Sequence, residues 1–289
     1  MTSLFGLDPA AGDDQIQDPV NQQVDADVRG SGLLTTHTVI VLHDDHSLTR
    51  FAADRIYEAL RTADPAKPIL LILNSSGGDV AAAYMISKLC REHTKNLFEV
   101  AIPRRAKSAA TLISCGADRI HMGSLSELGP IDPQFGALPA LALKYSVEHL
   151  AELVGKYPAA NTMFSDYLSK SLRVEALGYF ERVAESAVQY AIRLLASRRA
   201  QPKKPDRDAI AKRLVYFYKD HGFVIDSREA ADIFGAEIIA VDSDAYRMSN
   251  KVFGTLDVAN WVCGRRYSRE FSYIGAPGSG CMVWDKTPE

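Results

Sequence analysis

Two serine-bearing turns hold the residue types that acyl transfer needs. NSSGGDV (74–80) places consecutive glycines after an apolar run, and AKSAAT (106–111) places a serine between a lysine and two alanines. A serine hydroxyl attacks a carbonyl only when a base takes its proton, and the tetrahedral intermediate needs hydrogen-bond donors for its oxyanion. Gly77 and Gly78 can take positive φ and bring a backbone N–H close to a substrate. Ser108 at a helix start, followed by Ala109 and Ala110, leaves room for the intermediate, with the Ala109 N–H as a second donor. Each turn alone has a plainer meaning: a Gly-Gly is an ordinary tight turn, and a serine before a helix is an N-cap. The pair together points to a hydrolase.

Spacing alone does not select the base. His37, His43, His46, His93, His121, His149 and His221 supply imidazoles, and none stands at a distance from Ser108 that recommends it; each reads as a surface or internally satisfied histidine. A lysine can serve if burial lowers its pKa from about 10.4 to near 7–8, at a cost of roughly 4 kcal/mol. Lys144 is embedded in LPALALKYSV (138–147), an apolar run with no adjacent carboxylate. The competing meaning is a lysine whose stem snorkels at a helix end. Lys107 adjoins Ser108, but successive residues on a helix do not face each other. Lys156 and Lys170 sit in more polar surroundings.

The elements that position these residues follow from periodicity. THTVIVLH (36–43) predicts a strand, and Ser47 caps a helix with Leu48, Phe51, Ala52, Ile56, Ala59 and Leu60 at helical spacing. Then come a buried strand at 69–73, a helix at 79–93, a strand at 97–102, a helix at 107–115 and a short strand at 119–122. Strands alternating with helices at this pitch predict crossover units and a mainly parallel sheet covered by helices. Beyond residue 138 the pattern is helical to about 196, broken near Tyr157-Pro158, and a basic linker (197–207) follows. A helix (208–219), a small α/β piece (223–241) and a β-rich tail (246–289) complete the chain. Residues 1–34, rich in Asp, Gly, Gln and Pro, predict a flexible acidic arm, which leaves 35–245 as the main domain with its helical extension.

Composition narrows the function further. With 47% hydrophobic and 24% charged residues, the chain can bury a sizeable core. A formal charge of -3 gives no electrostatic footprint for nucleic acid, and the basic linker lacks interleaved aromatics. No apolar run reaches the length of a membrane span, and no signal peptide is visible. Cys90, Cys115, Cys263 and Cys281 form no CxxC and no zinc-ligand spacing, so they are expected to be packed free thiols in a reducing cytoplasm, with no metal and no cofactor.

The strings NSSGGDVAAAYMI, AKSAATLISCGADRIHMG and SELGPIDPQ resemble the serine dehydrogenase proteinase family, which is related to signal-peptide peptidase A and more distantly to the Clp proteolytic subunit, within the crotonase-like superfamily. The resemblance covers about residues 36–150, with a fainter echo in HGFVIDSREAADIFGAEI (221–238); LGPIDPQ is its most specific string. It implies an α/β, crotonase-like (Clp-protease-like) fold of repeated β-β-α units. It also implies a Ser-Lys dyad, with Ser108 at the nucleophile position and Lys144 as the lysine after the GPIDPQ loop. Gly77 and Gly78 match the oxyanion or substrate-strand turn. A peptide or protein substrate and a homo-oligomer follow from the same resemblance, because relatives form rings. Many relatives carry a membrane segment that has no counterpart here, and the tail GRRYSREFSYIGAPGSG (264–280) has none among them.

The leading expectation is therefore an ATP-independent serine peptidase acting on peptides or unfolded segments. Two other classes use the same features. An acyl-CoA-processing enzyme would share the oxyanion geometry and recruit carboxylates such as Glu127 and Asp132, although these read more simply as shaping the GPID turn. A catalytically silent scaffold would leave Ser108 without a base and would act through its C-terminal tail.

Overall fold

In a computed structural model that describes residues 6, 8, 11–135, 138–139, 142–171, 174–199 and 206–286, the chain opens with helices α1 (Asp13–Arg29) and α2 (Leu33–Thr36). It continues through β1 (Thr38–Asp44), α3 (Arg50–Leu60), β2 (Ile69–Ser75), α4 (Val80–Glu92), β3 (Phe98–Ala101), β4 (Arg105–Ala106), α5 (Ala109–Cys115), β5 (Arg119–Met122) and β6 (Glu127–Leu128). A small hairpin, β7 (Gln134–Phe135) and β8 (Leu138–Pro139), leads into α6 (Ala142–Lys156), α7 (Asn161–Ser171) and α8 (Val174–Ser197). The remainder is α9 (Arg207–Lys212), α10 (Ser227–Phe234), β9 (Ile239–Val241), α11 (Asp244–Arg266), β10 (Arg269–Gly275) and β11 (Cys281–Asp285).

One sheet organises the molecule, in the order β11-β10-β1-β2-β3-β5-β9, with β4 beside β2 and β6 beside β4. From β1 through β9 every pairing is parallel, whereas β10 runs antiparallel to β1 and β11 antiparallel to β10. Parallel strands need crossover helices on the faces, so both faces are buried and the strands read as continuous apolar runs such as Ile69–Leu73. Alternation assigns the faces: Val39, Val41, Leu70 and Ile72 pack under α1 and α11. Ile40, Leu42, Leu71 and Leu73 pack against α3, α4, α5 and α8. The result is the expected α/β architecture, a mainly parallel sheet between helical layers. Among the described residues no helix is long and apolar enough to cross a membrane.

Both ends of the chain depart from expectation. Residues 13–29 form a helix rather than a loose arm: Ile16, Val20, Val24 and Val28 recur every fourth residue and are fully buried in the layer beside α11. Asp27, almost wholly buried, is held by Thr255 (2.6 Å) and Lys251 (3.1 Å) of α11. The C-terminal segment is not predominantly β. Met248, Val252, Leu256, Ala259 and Cys263 line the buried side of a 23-residue helix, and the hairpin after it completes the main sheet instead of forming a separate unit.

Candidate active site

Ser108 sits at the turn between β4 and α5, at the carboxyl end of the parallel strands. Its backbone, φ 51° and ψ -120°, lies where residues other than glycine are rare, and its side chain makes no cap hydrogen bond. An ordinary N-cap has extended φ and accepts a bond from the first turn, so the plain capping role does not describe this serine. Strain of this kind costs about 1–3 kcal/mol and persists only where the surroundings impose it. A strand turning sharply into a helix at a strained serine is the geometry that lifts a nucleophile out of a sheet. Here β4 is fixed by its pairing with β2 at Ser75 and by the Lys107 N–H donating to Ser75 O at 3.1 Å. Every residue of α5 is buried, which anchors the other side of the turn.

The Gly-Gly turn lies directly against this elbow. A side chain at Gly77 (φ 102°) would bring its Cβ to 2.7 Å from Lys107 O, 2.9 Å from Ser108 Cβ and 3.0 Å from Ala109 N. Gly77 donates its own N–H to Ser75 Oγ at 3.1 Å, so that donor is spent. Gly78 is different. It forms an isolated parallel bridge with Leu48, in which Leu48 N–H donates to Gly77 O and Asp79 N–H donates to Leu48 O, both at 2.8 Å. In such a bridge the central residue's own N–H points to the opposite side. Gly78 lines the same cleft as Ser108, and Ala109 is the first helical residue beyond it. Among the described residues no acceptor takes either the Gly78 or the Ala109 N–H.

The cleft, about 890 Å³, is walled by the two turns, by α8 through Tyr179, Arg182 and Glu185, and by His221. His221 Nδ1 lies 2.5 Å from Asp132 Oδ1. A carboxylate only accepts, so Nδ1 carries the proton, and Nε2 is the nitrogen a serine hydroxyl would meet. The bond to Asp132 is the main cause that raises the His221 pKa above its ordinary 6.5; burial opposes it, and the charges of Asp132 and Asp220 add to it, against Lys107. Asp132 is only 5% exposed. Two local ties bring this pair to the elbow. Thr111 Oγ1 lies 2.6 Å from Ala106 O and 2.8 Å from Gly129 O, and it accepts the Gly129 N–H at 3.1 Å, which pins the GPID loop under α5. Leu128 and Ile225 exchange backbone bonds at 2.9 and 3.0 Å, which joins that loop to the one bearing His221.

Of the residues singled out by sequence, Ser108, Gly77, Gly78 and Ala109 are therefore brought together. Lys144 falls in the first turn of α6, and its side chain lies outside the described residues. His221 and Asp132 were not picked out as a pair: Asp132 read as a turn-former and His221 as one histidine among seven. Both nevertheless stand in the strings HGFVID and LGPIDPQ that carry the family resemblance. Of the other histidines, His121 bonds Ser243 Oγ at 2.7 Å and His149 is exposed, whereas His43 is buried with neither ring nitrogen hydrogen-bonded among the described residues, contrary to the expectation of a satisfied histidine. All four cysteines are free and buried, and burial pushes the Cys90 and Cys115 thiols up to about 12, consistent with packing roles. Glu127 is paired with Lys107 at 3.0 Å. Among the described residues no cluster of His, Cys, Asp or Glu is arranged to hold a metal.

The fold is α/β, a mainly parallel sheet between helical layers with a strained serine elbow at the strand ends. Residues 46–154, which contain both turns, the GPID loop and α6 as far as Val154, match the family described as ClpP-like SDH-type serine proteinase, so the resemblance read from the sequence holds. Two uncharacterized proteins of Methanocaldococcus jannaschii are similar: MJ0137 is 41% identical over 96 residues, 33% of each chain. MJ1495 is 31% identical over 119 residues, 37% of this chain and 40% of its own length. The chain thus spans less than half the length of these relatives. Two solved structures of the 1510-N membrane-bound stomatin-specific protease also align at 16% identity over 88% of this chain. One is a serine-to-alanine mutant (TM-score 0.45, 99% of that chain) and the other a lysine-to-alanine mutant in complex with a substrate peptide (TM-score 0.44, 94% of that chain).

Proposed function

We propose that the protein is a serine peptidase in which Ser108 is the nucleophile, His221 its base and Asp132 the group that orients and stabilises the imidazole. The observation that carries this reading is His221, bonded to the buried Asp132, lining the cleft of a serine held in a strained elbow. His221 Nε2 takes the hydroxyl proton as Ser108 Oγ bonds to the substrate carbonyl carbon. The N–H groups of Gly78 and Ala109 hold the oxyanion, and the imidazolium returns the proton to the leaving amine as the C–N bond breaks. A water, deprotonated by the same imidazole, then hydrolyses the acyl-enzyme and regenerates Ser108. Extended peptides or unfolded segments are the substrate class, laid along the Gly-Gly turn by backbone pairing.

Lys144 is the alternative base, carried by the family resemblance rather than by geometry. A fluorophosphonate separates the readings. Labelling should require Ser108 and be lost in Ser108→Ala. With His221 as base, His221→Gln should lower the labelling rate by about 10²–10⁴-fold while Lys144→Ala changes it little; the reverse pattern would transfer the role to Lys144. An absence of labelling in the folded protein across the pH range would overturn the peptidase reading in favour of a silent scaffold. The same reading includes a cytoplasmic protein, supported by four buried free thiols, and a homo-oligomer, which light scattering on the full chain tests directly.

A further inference from the structure

We propose that Lys107, the residue before the nucleophile, is a positioning residue that clamps the loop bearing His221 against the serine elbow; the proposal rests on His221 being the base. Its ammonium is turned away from the cleft and into a junction of three segments. Nζ lies 3.0 Å from Glu127 Oε2 and 3.3 Å from Leu128 O on β6, and 3.1 Å from Phe223 O and 3.5 Å from Gly222 O on the loop after α9. Three N–H bonds are shared among four oxygens, and the side chain is only 13% exposed. With its donors committed to these oxygens, Lys107 is placed to hold rather than to abstract a proton.

The fold makes room for this clamp. A Cβ on Gly129 would come within 2.5 Å of Lys107 Cδ, so glycine there is what lets the stem cross the GPID loop. Lys107 is bound through its own backbone to both turns, its N–H to Ser75 O and its carbonyl to the Ala110 N–H at 2.8 Å. One residue thus fixes the backbone of the nucleophile at one end and the two carbonyls that follow the base at the other. The Leu128–Ile225 bridge ties the same two loops, and Leu128 also pairs with Ala106 of β4, so the clamp adds a charged tie to a backbone one. The charged groups around His221 are Asp132 from the GPID loop, Asp220 from its own loop and Lys107 itself.

The test is a comparison of Lys107→Met, which keeps the stem and removes the ammonium, with the native protein. Fluorophosphonate labelling is measured across pH, with kcat and KM on an unstructured peptide. Loss of the clamp should lower kcat and the labelling rate by about 10- to 10²-fold, as expected for a displaced catalytic group, with KM within a few-fold. Removing a positive charge near His221 should also move the acidic limb of the pH profile upward. Because all four native cysteines are buried, aminoethylation of a Lys107→Cys protein rebuilds a lysine-like side chain. Recovery of most of the rate then supports the clamp even if Lys107→Met is recovered unfolded. A native-like kcat and an unmoved limb in folded Lys107→Met would overturn the proposal while leaving His221 as base. A native protein without any acidic limb near the histidine range would instead remove His221 as base, and the clamp with it.

Discussion

Replacing Gly77 by alanine tests the packing of the two turns without presuming which group is the base. The new methyl carbon would stand 2.7 Å from Lys107 O and 2.9 Å from Ser108 Cβ, at a backbone φ of 102°. Holding a residue with a side chain at such a φ costs about 1–3 kcal/mol, and forcing a methyl group against close-packed neighbours costs about 1–3 kcal/mol more. The neighbours are backbone and the stem of the nucleophile, so no flexible side chain can swing away. If the turn stays in place, stability falls by roughly 2–6 kcal/mol, the sum of those two ranges. If the elbow yields instead, Ser108 must move by about 0.5–0.7 Å to regain ordinary van der Waals separation. A misplacement approaching 1 Å lowers a catalytic rate by about 10²-fold. Thermal melting and the fluorophosphonate labelling rate, read on the same preparation, divide the outcome between these routes. A Gly77→Ala protein with native melting and a labelling rate within twofold of native would refute the stacked-turn geometry.

Four further outcomes follow from the same coordinates. The His221 pKa is raised, chiefly by Asp132, so the neutral base is lost as pH falls through a midpoint above 6.5, and Asp132→Asn should move that midpoint down and cut kcat by up to about 10⁴-fold; an unchanged midpoint would remove Asp132 from the site. Linkage runs the other way for stability: a raised folded pKa contributes stability that is fully present below about 6.5 and is lost as pH rises through the folded value. The contribution is modest for a partly exposed ring, and the pH dependence of melting should flatten over this window in His221→Gln. Ser108→Gly should raise the melting temperature, because relief of about 1–3 kcal/mol of backbone strain exceeds the roughly 0.5–1 kcal/mol entropic penalty of glycine; a lower melting temperature would mean the elbow is unstrained. Ile16→Ala, at a fully buried position of α1, should destabilise by about 2–5 kcal/mol in urea melts, and a loss below about 0.5 kcal/mol, the range of surface substitutions, would show that α1 is not part of the core.

The strands and helices of the central sheet were legible because each writes its environment into a short window. Ile69–Leu73 is buried on both faces and so is apolar throughout. The ends of the chain were not legible for a different reason. In α1 the apolar positions Ile16, Val20, Val24 and Val28 form a narrow stripe among aspartates and glutamines, with Pro19 in between. That stripe is too thin to hold a helix unaided, and it becomes worth forming only when α11, distant in sequence, covers it. Residues 246–266 fall in the expected β-rich tail yet belong to α11. Phe253 lies over the sheet against His43 and Arg104, whereas Trp261 is 62% exposed, so neither marks an alternating strand face. The period of four from Met248 to Leu256 was the better guide.

The site divides along the same line. In the proposed site Gly78 and Ala109 act through backbone N–H groups and Ser108 through a hydroxyl aimed by its own backbone turn, and backbone geometry is set by neighbouring residues: a serine followed by alanines, glycines after a buried strand. Those positions could be named from the sequence because the chemistry and its cause lie within a few residues of each other. A base has no such local signature, since a histidine side chain looks the same wherever it stands in a sequence. His221 and Asp132 are 89 positions apart and meet because Leu128 and Ile225 pair and because Lys107 spans the same junction. The placement of the proposed base therefore depends on a few contacts between loops, while the proposed nucleophile and its donors rest on a sheet and a wholly buried helix. Substitutions at the junction should accordingly act on rate before stability, and substitutions beneath the elbow should act on both.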